Sequence, residues 1–295
     1  MPNRLRLPLD ADPDLALGTA SSPTPSTPPV RTPSPAGAES TAQPASTADA
    51  ELWPAPCPPY TYLAGTAGSG KTFAVQAWAE REQGLELCAT TGIAAINLGG
   101  TTVNATLGYF DTASLQESYV NGFLTARLGK LWRAGVRRLV VDEVSMMDGD
   151  QLTLLVRAIE EVNGRGYVLG KWDEEDDTPP PAMGLTLVGD FAQLGAVKAP
   201  YAFESSEWAR FQEHTRTLTE IRRQADPAFI AALRAARVGD GRRVLDYFAG
   251  KIHTETDDRF EGPTLLAKNE AVDRYNWIRL SRLAGRDLLF GSARW

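Results

Sequence analysis

The stretch Tyr60-Thr-Tyr-Leu-Ala-Gly65-Thr-Ala-Gly-Ser-Gly-Lys71-Thr72 decides the fold. Residues 61–64 form a short apolar run that reads as a buried strand, residues 71–82 read as the helix after it, and the turn between them fits Gly-x-x-x-x-Gly-Lys-Thr, the Walker A pattern. The placement carries as much weight as the pattern. Glycines let successive backbone N–H groups converge on phosphate oxygens, the helix N-terminus adds partial positive charge, a lysine neutralises phosphate, and a hydroxyl can ligate Mg2+. Gly65, Gly68, Ser69, Gly70, Lys71 and Thr72 are therefore the candidate nucleotide-binding residues, with ATP as the cofactor and Mg2+ on Thr72.

Outward from this unit, residues 85–90, 138–142 and 185–188 are further apolar runs, each followed by polar or glycine residues and then by helical sequence. Strands alternating with helices imply an α/β fold with a parallel, doubly wound sheet, in which ligands bind beyond the carboxyl ends of the strands. Asp142 and Glu143 stand at such an end, 71 residues after Lys71. A carboxylate there suits Mg2+, making Asp142 the second metal residue, and Glu143 suits the base that accepts a proton from attacking water. Gln193, after the run at 185–188, is placed to touch a γ-phosphate. Arg222 and Arg223 lie outside the four-strand unit, where an arginine approaching from a second domain could stabilise charge on a transferred phosphoryl group.

Elsewhere the chain is less informative. Residues 122–137 read as a helix with Arg127, Lys130, Arg133 and Arg137 on one stripe, which serves equally as a phosphate track or a solvated face. Residues 164–181, containing Lys-Trp-Asp-Glu-Glu-Asp-Asp-Thr-Pro-Pro-Pro, read as an exposed acidic loop. Helices are expected at 226–238, 241–247 and 269–283, and a strand at 264–267.

Of the 20 prolines, 14 lie within residues 1–59, and from 19 to 47 Val30 is the only branched aliphatic, so residues 1–59 are expected to be a disordered tail. The formal charge is −7 (30 basic and 37 acidic residues), which disfavours a uniformly basic nucleic-acid-coating protein. The tail and the run Asp173 to Asp177 supply the whole of the excess, leaving a nearly neutral body. Cys57 and Cys88 with His214 and His253 are too few for a disulfide framework or a metal cluster, which fits a reducing, cytoplasmic setting, nucleoid-associated if DNA is bound. No membrane span or secretory signal is expected.

Taken together, the motifs resemble the superfamily 1B DNA helicases, the RecD, Dda and PIF-type group of 5′-to-3′ translocases. Asp142-Glu143-Val-Ser-Met is similar to motif II of that family, Gly189-Asp-Phe-Ala-Gln193-Leu to motif III, and Leu218-Thr-Glu-Ile-Arg-Arg223-Gln to motif IV. The segment from Thr91 to Asn104 resembles motif Ia and the strand-gripping residues after it. The resemblance implies a P-loop NTPase with a RecA-like parallel sheet flanked by helices over residues 60–215, and the start of an incomplete second motor domain over 216–295. It also implies ATP-dependent, Mg2+-dependent hydrolysis and single-stranded DNA as partner. Lys71, Glu143, Gln193 and Arg223 would be catalytic, with Thr90, Thr91, Thr102 and Asn104 along the strand; Tyr109 and Phe110 read either as stacking platforms or, in their apolar neighbourhood, as core.

The sequence departs from the family in having Asn104 where a histidine is usual and Gly195-Ala196 where two prolines follow the glutamine. No glutamine-containing adenine-recognition segment precedes the P-loop, and motifs V and VI are not reached, so weak or partner-dependent hydrolysis and no unwinding by this chain alone are expected, with a second polypeptide completing the motor. Two other readings stay open: a P-loop ATPase that remodels a protein, and a non-catalytic binding module.

Overall fold

In the computed structural model, residues 52–53, 56–169, 181–251 and 264–282 are described, with the side chains of 165–169 excepted. The elements in chain order are β1 (Tyr60–Gly65), α1 (Lys71–Ala79), β2 (Leu85–Ala89), α2 (Gly92–Leu98), β3 (Thr101–Thr102), α3 (Val103–Leu107), α4 (Thr112–Val120) and α5 (Phe123–Arg133). They continue with β4 (Arg138–Asp142), α6 (Gly149–Leu169), β5 (Gly184–Gly189), α7 (Ala209–Gln212), β6 (Thr215–Leu218), α8 (Pro227–Arg237), α9 (Gly241–Phe248) and α10 (Asn269–Ser281).

The six strands form one sheet in the order β3-β2-β4-β5-β1-β6, and every pairing is parallel. Strands β4 and β5 are buried along their whole length, as expected where helices cover both faces. Successive residues point to opposite faces, and the sequence sorts accordingly. Leu63, Val140 and Val188 meet Ala74, Val75 and Trp78 of α1 and Leu98 of α2 on one face. Tyr62, Leu139, Val141, Leu185 and Leu187 meet the larger cluster on the other, which includes Leu124 and Leu128 of α5 and Leu152, Leu155, Val156, Ile159 and Val162 of α6. The α6 set recurs at the spacing of one helical face.

Because β5 is inserted between β1 and β4, the three segments that leave their carboxyl ends, 65–71, 142–143 and 189–193, open side by side at one edge of the sheet. The core strands and α1, α5, α8, α9 and α10 agree with the sequence reading to within a few residues at each end.

Several expectations need correction. The tail does not extend to residue 59: Leu52 is buried among Leu63, Val75 and Trp78, and Trp53 and Cys57 pack against that cluster. Arg138 fixes the segment that follows, its guanidinium donating to the carbonyls of Cys57, Pro58 and Pro59, at 2.7 Å for Pro58. Composition gives no warning of this strap, since it is held by a few apolar side chains, Leu52, Trp53 and Cys57, and by a basic residue far along the chain. The rest of that tail lies outside the described residues.

The acidic loop does not begin at 164, because α6 continues to Leu169. Its buried stripe nucleates the helix, Asn163 exchanges hydrogen bonds with the backbone of Met183, and an interior glycine costs only about 1 kcal/mol. The acidic run itself lies outside the described residues. Residues 264–267 form no strand and leave Leu265 exposed. Finally, β6 takes in Thr215–Leu218, so the first sheet extends past 215 and joins β1. Among the described residues no helix is long and apolar enough to cross a membrane.

Candidate active site

The turn from β1 to α1 is built by glycine where geometry demands it. Gly68 (φ 79°) and Gly70 (φ 89°) are left-handed, and a Cβ on Gly68 would come within 2.9 Å of Arg223 Cβ. Lys71, the first residue of α1, folds its ammonium back to donate to the carbonyl oxygens of Gly65 (2.8 Å) and Thr66 (3.3 Å). Burial lowers the pKa of Lys71, opposed by the carboxylates of Glu143, Asp142 and Asp190. The hydroxyls of Thr66 and Ser69 are buried without a hydrogen-bond partner, a costly state for a polar group. The first-turn N–H groups of α1 also lack intrahelical acceptors, as at any helix start. Orphaned donors, a buried ammonium and a helix N-terminus together fit a polyphosphate.

Asp142 ends β4 and is only 2% exposed. Its Oδ2 accepts from Thr72 Oγ1 at 3.0 Å and its Oδ1 from the Glu143 N–H at 2.8 Å. Thr72 and Asp142 are thus already in contact, and the pair could hold a divalent cation between hydroxyl and carboxylate. Burial raises the Asp142 carboxyl, with the hydrogen bonds and Lys71 working against it. Glu143 has left-handed backbone (φ 56°, ψ 44°), which is strained for a residue with a Cβ. Thr90 Oγ1 donates to its carbonyl at 2.8 Å, bracing this conformation from β2. Burial, and then the charge of Asp142, push the Glu143 carboxyl up, the direction that suits a general base.

Beyond β5, the buried Asp190 accepts from the Ala192 N–H at 3.1 Å while its carbonyl accepts from the Gln193 N–H at 2.9 Å, so Gln193 sits, half-buried, in a tight turn at the carboxyl end of the strand that neighbours β1. Arg223 reaches the same place by a route the sequence reading does not anticipate. Strand β6 pairs with β1, and just after it the N–H groups of Arg222 and Arg223 donate to the Gly68 carbonyl at 2.8 and 3.1 Å. The arginine therefore lies on the P-loop, five residues beyond the end of β6, close enough for its charge to act on Lys71 and Glu143.

The candidate strand-contacting residues lie along β2, α2 and α3. Thr91 caps α2 by accepting from Ala94 N–H (3.3 Å), Thr102 caps α3 by accepting from Ala105 N–H (3.2 Å), and Asn104 donates to the Phe110 carbonyl (3.2 Å). Each shapes its segment. Tyr109 is buried in the larger core cluster, whereas Phe110 is 93% exposed. Arg127 ties α5 to α3, its guanidinium donating to the carbonyls of Thr106 (2.6 Å) and Ala105 (3.0 Å). Two residues beyond the sequence reading matter here: Arg138, which anchors the strap, and Arg237 on α8, which meets Asp190. Neither belongs to a motif, and only the fold joins them to partners dozens of residues away.

A parallel sheet with an extra strand between its Walker A and acidic strands, and with these side chains at its carboxyl edge, defines a RecA-like P-loop NTPase domain. The chain belongs to the AAA domain family AAA_30, whose profile matches residues 58–175 and 179–257. The "ATP-dependent DNA helicase PIF1" of Homo sapiens is 30% identical over 246 residues, covering 76% of this chain and 35% of the relative. That of Xenopus laevis is 28% identical over 236 residues, with the same shares. The chain thus spans about a third of the length of the curated relatives it matches (35%). The crystal structure of Pif1 helicase from Candida albicans aligns with a TM-score of 0.57 and 28% identity, covering 78% of this chain and 52% of that one. Pif1 from Bacteroides, solved in complex with ADP-AlF3 and ssDNA, shares the fold with a TM-score of 0.53 and 23% identity, covering 78% and 55%. The superfamily 1B resemblance carried by the motifs agrees with these relatives.

Proposed function

We propose that this chain binds ATP with Mg2+ and hydrolyses it as a motor domain of the 5′-to-3′ DNA helicase type, stimulated by single-stranded DNA. The observation that carries this reading is the meeting of Lys71, Thr72, Asp142, Glu143 and Arg223 at one sheet edge, with Thr90 bonding the Glu143 carbonyl from the segment that begins the candidate DNA path. Lys71, released from the Gly65 and Thr66 carbonyls, would bind the phosphates together with the Ser69 hydroxyl and the loop N–H groups. Thr72 and Asp142 would hold Mg2+, which when bound supplies charge for the phosphate oxygens. Glu143 would take the proton from water, Gln193 would contact the γ-phosphate, and Arg223 would answer the charge that develops on it. The relatives that are named ATP-dependent DNA helicases support the activity, ATP hydrolysis by a DNA helicase. Thr91, Thr102 and Asn104 would shape the DNA path and Phe110 would stack on a base. Residues from 219 on are read as the start of a second motor domain. A DNA substrate implies action where DNA is held, in the cytoplasm or nucleoid.

The test is ATP turnover by the purified chain with and without oligo(dT), with Lys71→Ala as control. Turnover that rises with DNA and vanishes in the variant is expected. Turnover indifferent to DNA would favour a remodelling ATPase, and none at all would favour a binding module.

A further inference from the structure

Arg237 stands in the last turn of α8, outside every motif, yet its Nη1 lies 2.6 Å from each carboxylate oxygen of Asp190. The acid is 3% exposed, whereas the arginine side chain remains 40% exposed at the surface. Asp190 is no ordinary core carboxylate. It follows β5 directly, and its own Oδ1 and carbonyl set the turn on which Gln193 rides. Its charge is felt by Lys71 of α1, by Glu143 after β4 and by the Tyr62 phenol of β1.

Without the guanidinium, the site would hold three carboxylates, Asp142, Glu143 and Asp190, shared between Lys71 and Arg223. A buried charge deprived of its partner moves toward water or displaces its neighbours. The element that carries Arg237 is not a loose arm. Helices α8 and α9 are locked by Phe229, Tyr247 and Phe248, and the Tyr247 hydroxyl reaches Asp226, the N-cap of α8, at 3.2 Å.

We infer that Arg237 is a positioning residue for hydrolysis: by holding Asp190 it fixes the turn that presents Gln193, and it ties the α8–α9 pair to that turn. This rests on the ATPase reading proposed above. A shift of α8 would draw directly on the carboxylate, so the two helices and the phosphate end of the site would move together.

The experiment uses the full chain. Arg237→Gln and Arg237→Lys are compared with wild type for thermal midpoint, affinity for a fluorescent ATP analogue, and kcat and KM for ATP with saturating oligo(dT). Displacing the Gln193 turn should lower kcat of Arg237→Gln about ten- to a hundredfold while KM and analogue affinity stay within about twofold, because a misplaced group costs rate before binding. Lysine keeps the charge and should recover most of the loss. If Arg237→Gln fails to fold, Asp190→Asn, which removes the charge the arginine answers, carries the same expectation. An unchanged kcat, or a loss that tracks the thermal midpoint and is not relieved by lysine, would overturn the inference while leaving the ATPase reading intact. Absence of turnover in the wild type would defeat both.

Discussion

Replacing Gly100 by alanine adds one methyl group where the backbone of β2 already is. A Cβ at this position would lie 2.0 Å from the Leu87 carbonyl oxygen, 2.7 Å from its carbonyl carbon and 2.9 Å from its Cβ, all well inside ordinary van der Waals contact at 3.4 Å. The nearest atoms are backbone, and they cannot swing aside. Leu87 is held in the ladder opposite Val140, and the next residue, Cys88, is held opposite Thr101. Relief therefore requires moving either β2 or the α2–β3 connection, and overpacking of this kind costs about 1–3 kcal/mol, here at the top of the range. With a urea m-value of about 1–3 kcal/mol/M for a domain of this size, the unfolding midpoint should fall by about 1 M or more.

Gly92 supplies the control. It is exposed at the first position of α2, with ordinary φ and nothing within 4 Å of its would-be Cβ, so Gly92→Ala should be neutral or stabilising. Urea titrations of the three proteins followed by tryptophan fluorescence decide the matter. Equal midpoints for wild type and Gly100→Ala would refute the argument from close approach. Because the same connection leads directly into Thr102 of β3 and Asn104 of α3, oligo(dT) stimulation should weaken along with stability.

Leu52→Ala should cost about 2–5 kcal/mol, as for other buried leucines, and lower the thermal midpoint by several degrees, whereas an inert tail would leave it unchanged. Phe110→Ala should leave stability within about 0.5 kcal/mol and weaken oligo(dT) binding by about 1–3 kcal/mol in fluorescence anisotropy, while Tyr109→Ala should do the reverse and destabilise the core. Alkaline pH should unfold the chain progressively. Burial raises the phenols of Tyr60, Tyr62 and Tyr109, that of Tyr62 to about 12, against about 10 in an unfolded chain. Between those values the folded state binds more protons than the unfolded one, so stability is lost as pH rises through this window. Urea midpoints at pH 9 and 11 should separate more for wild type than for Tyr62→Phe.

The central sheet is legible from the sequence because β1, β2, β4 and β5 are short apolar runs that end in chemistry-bearing residues, and burial on both faces demands such runs. Strand β6, Thr-Arg-Thr-Leu, is not: an edge strand keeps polar residues, and its role depends on β1 being its neighbour. The spacing of Leu152, Leu155, Val156, Ile159 and Val162 encodes α6, whose end is hidden by glycines that helical composition argues against. At the site, Lys71, Thr72, Asp142 and Glu143 lie in two continuous segments that carry their own context. The contact of Arg223 with the P-loop depends on β6, and that of Arg237 with Asp190 spans 47 residues, so neither is encoded locally.

The left-handed backbone of Glu143 sets stability and catalysis against each other at one position. Glycine would adopt the same φ without strain, which is worth about 1 kcal/mol or more, and Glu143→Gly would also remove a carboxylate that burial has already made costly to ionise. Selection of this chain for heat resistance alone would therefore favour losing the side chain that the proposed hydrolysis needs. A library screened only by melting temperature should accumulate well-folded proteins that bind nucleotide and no longer turn it over.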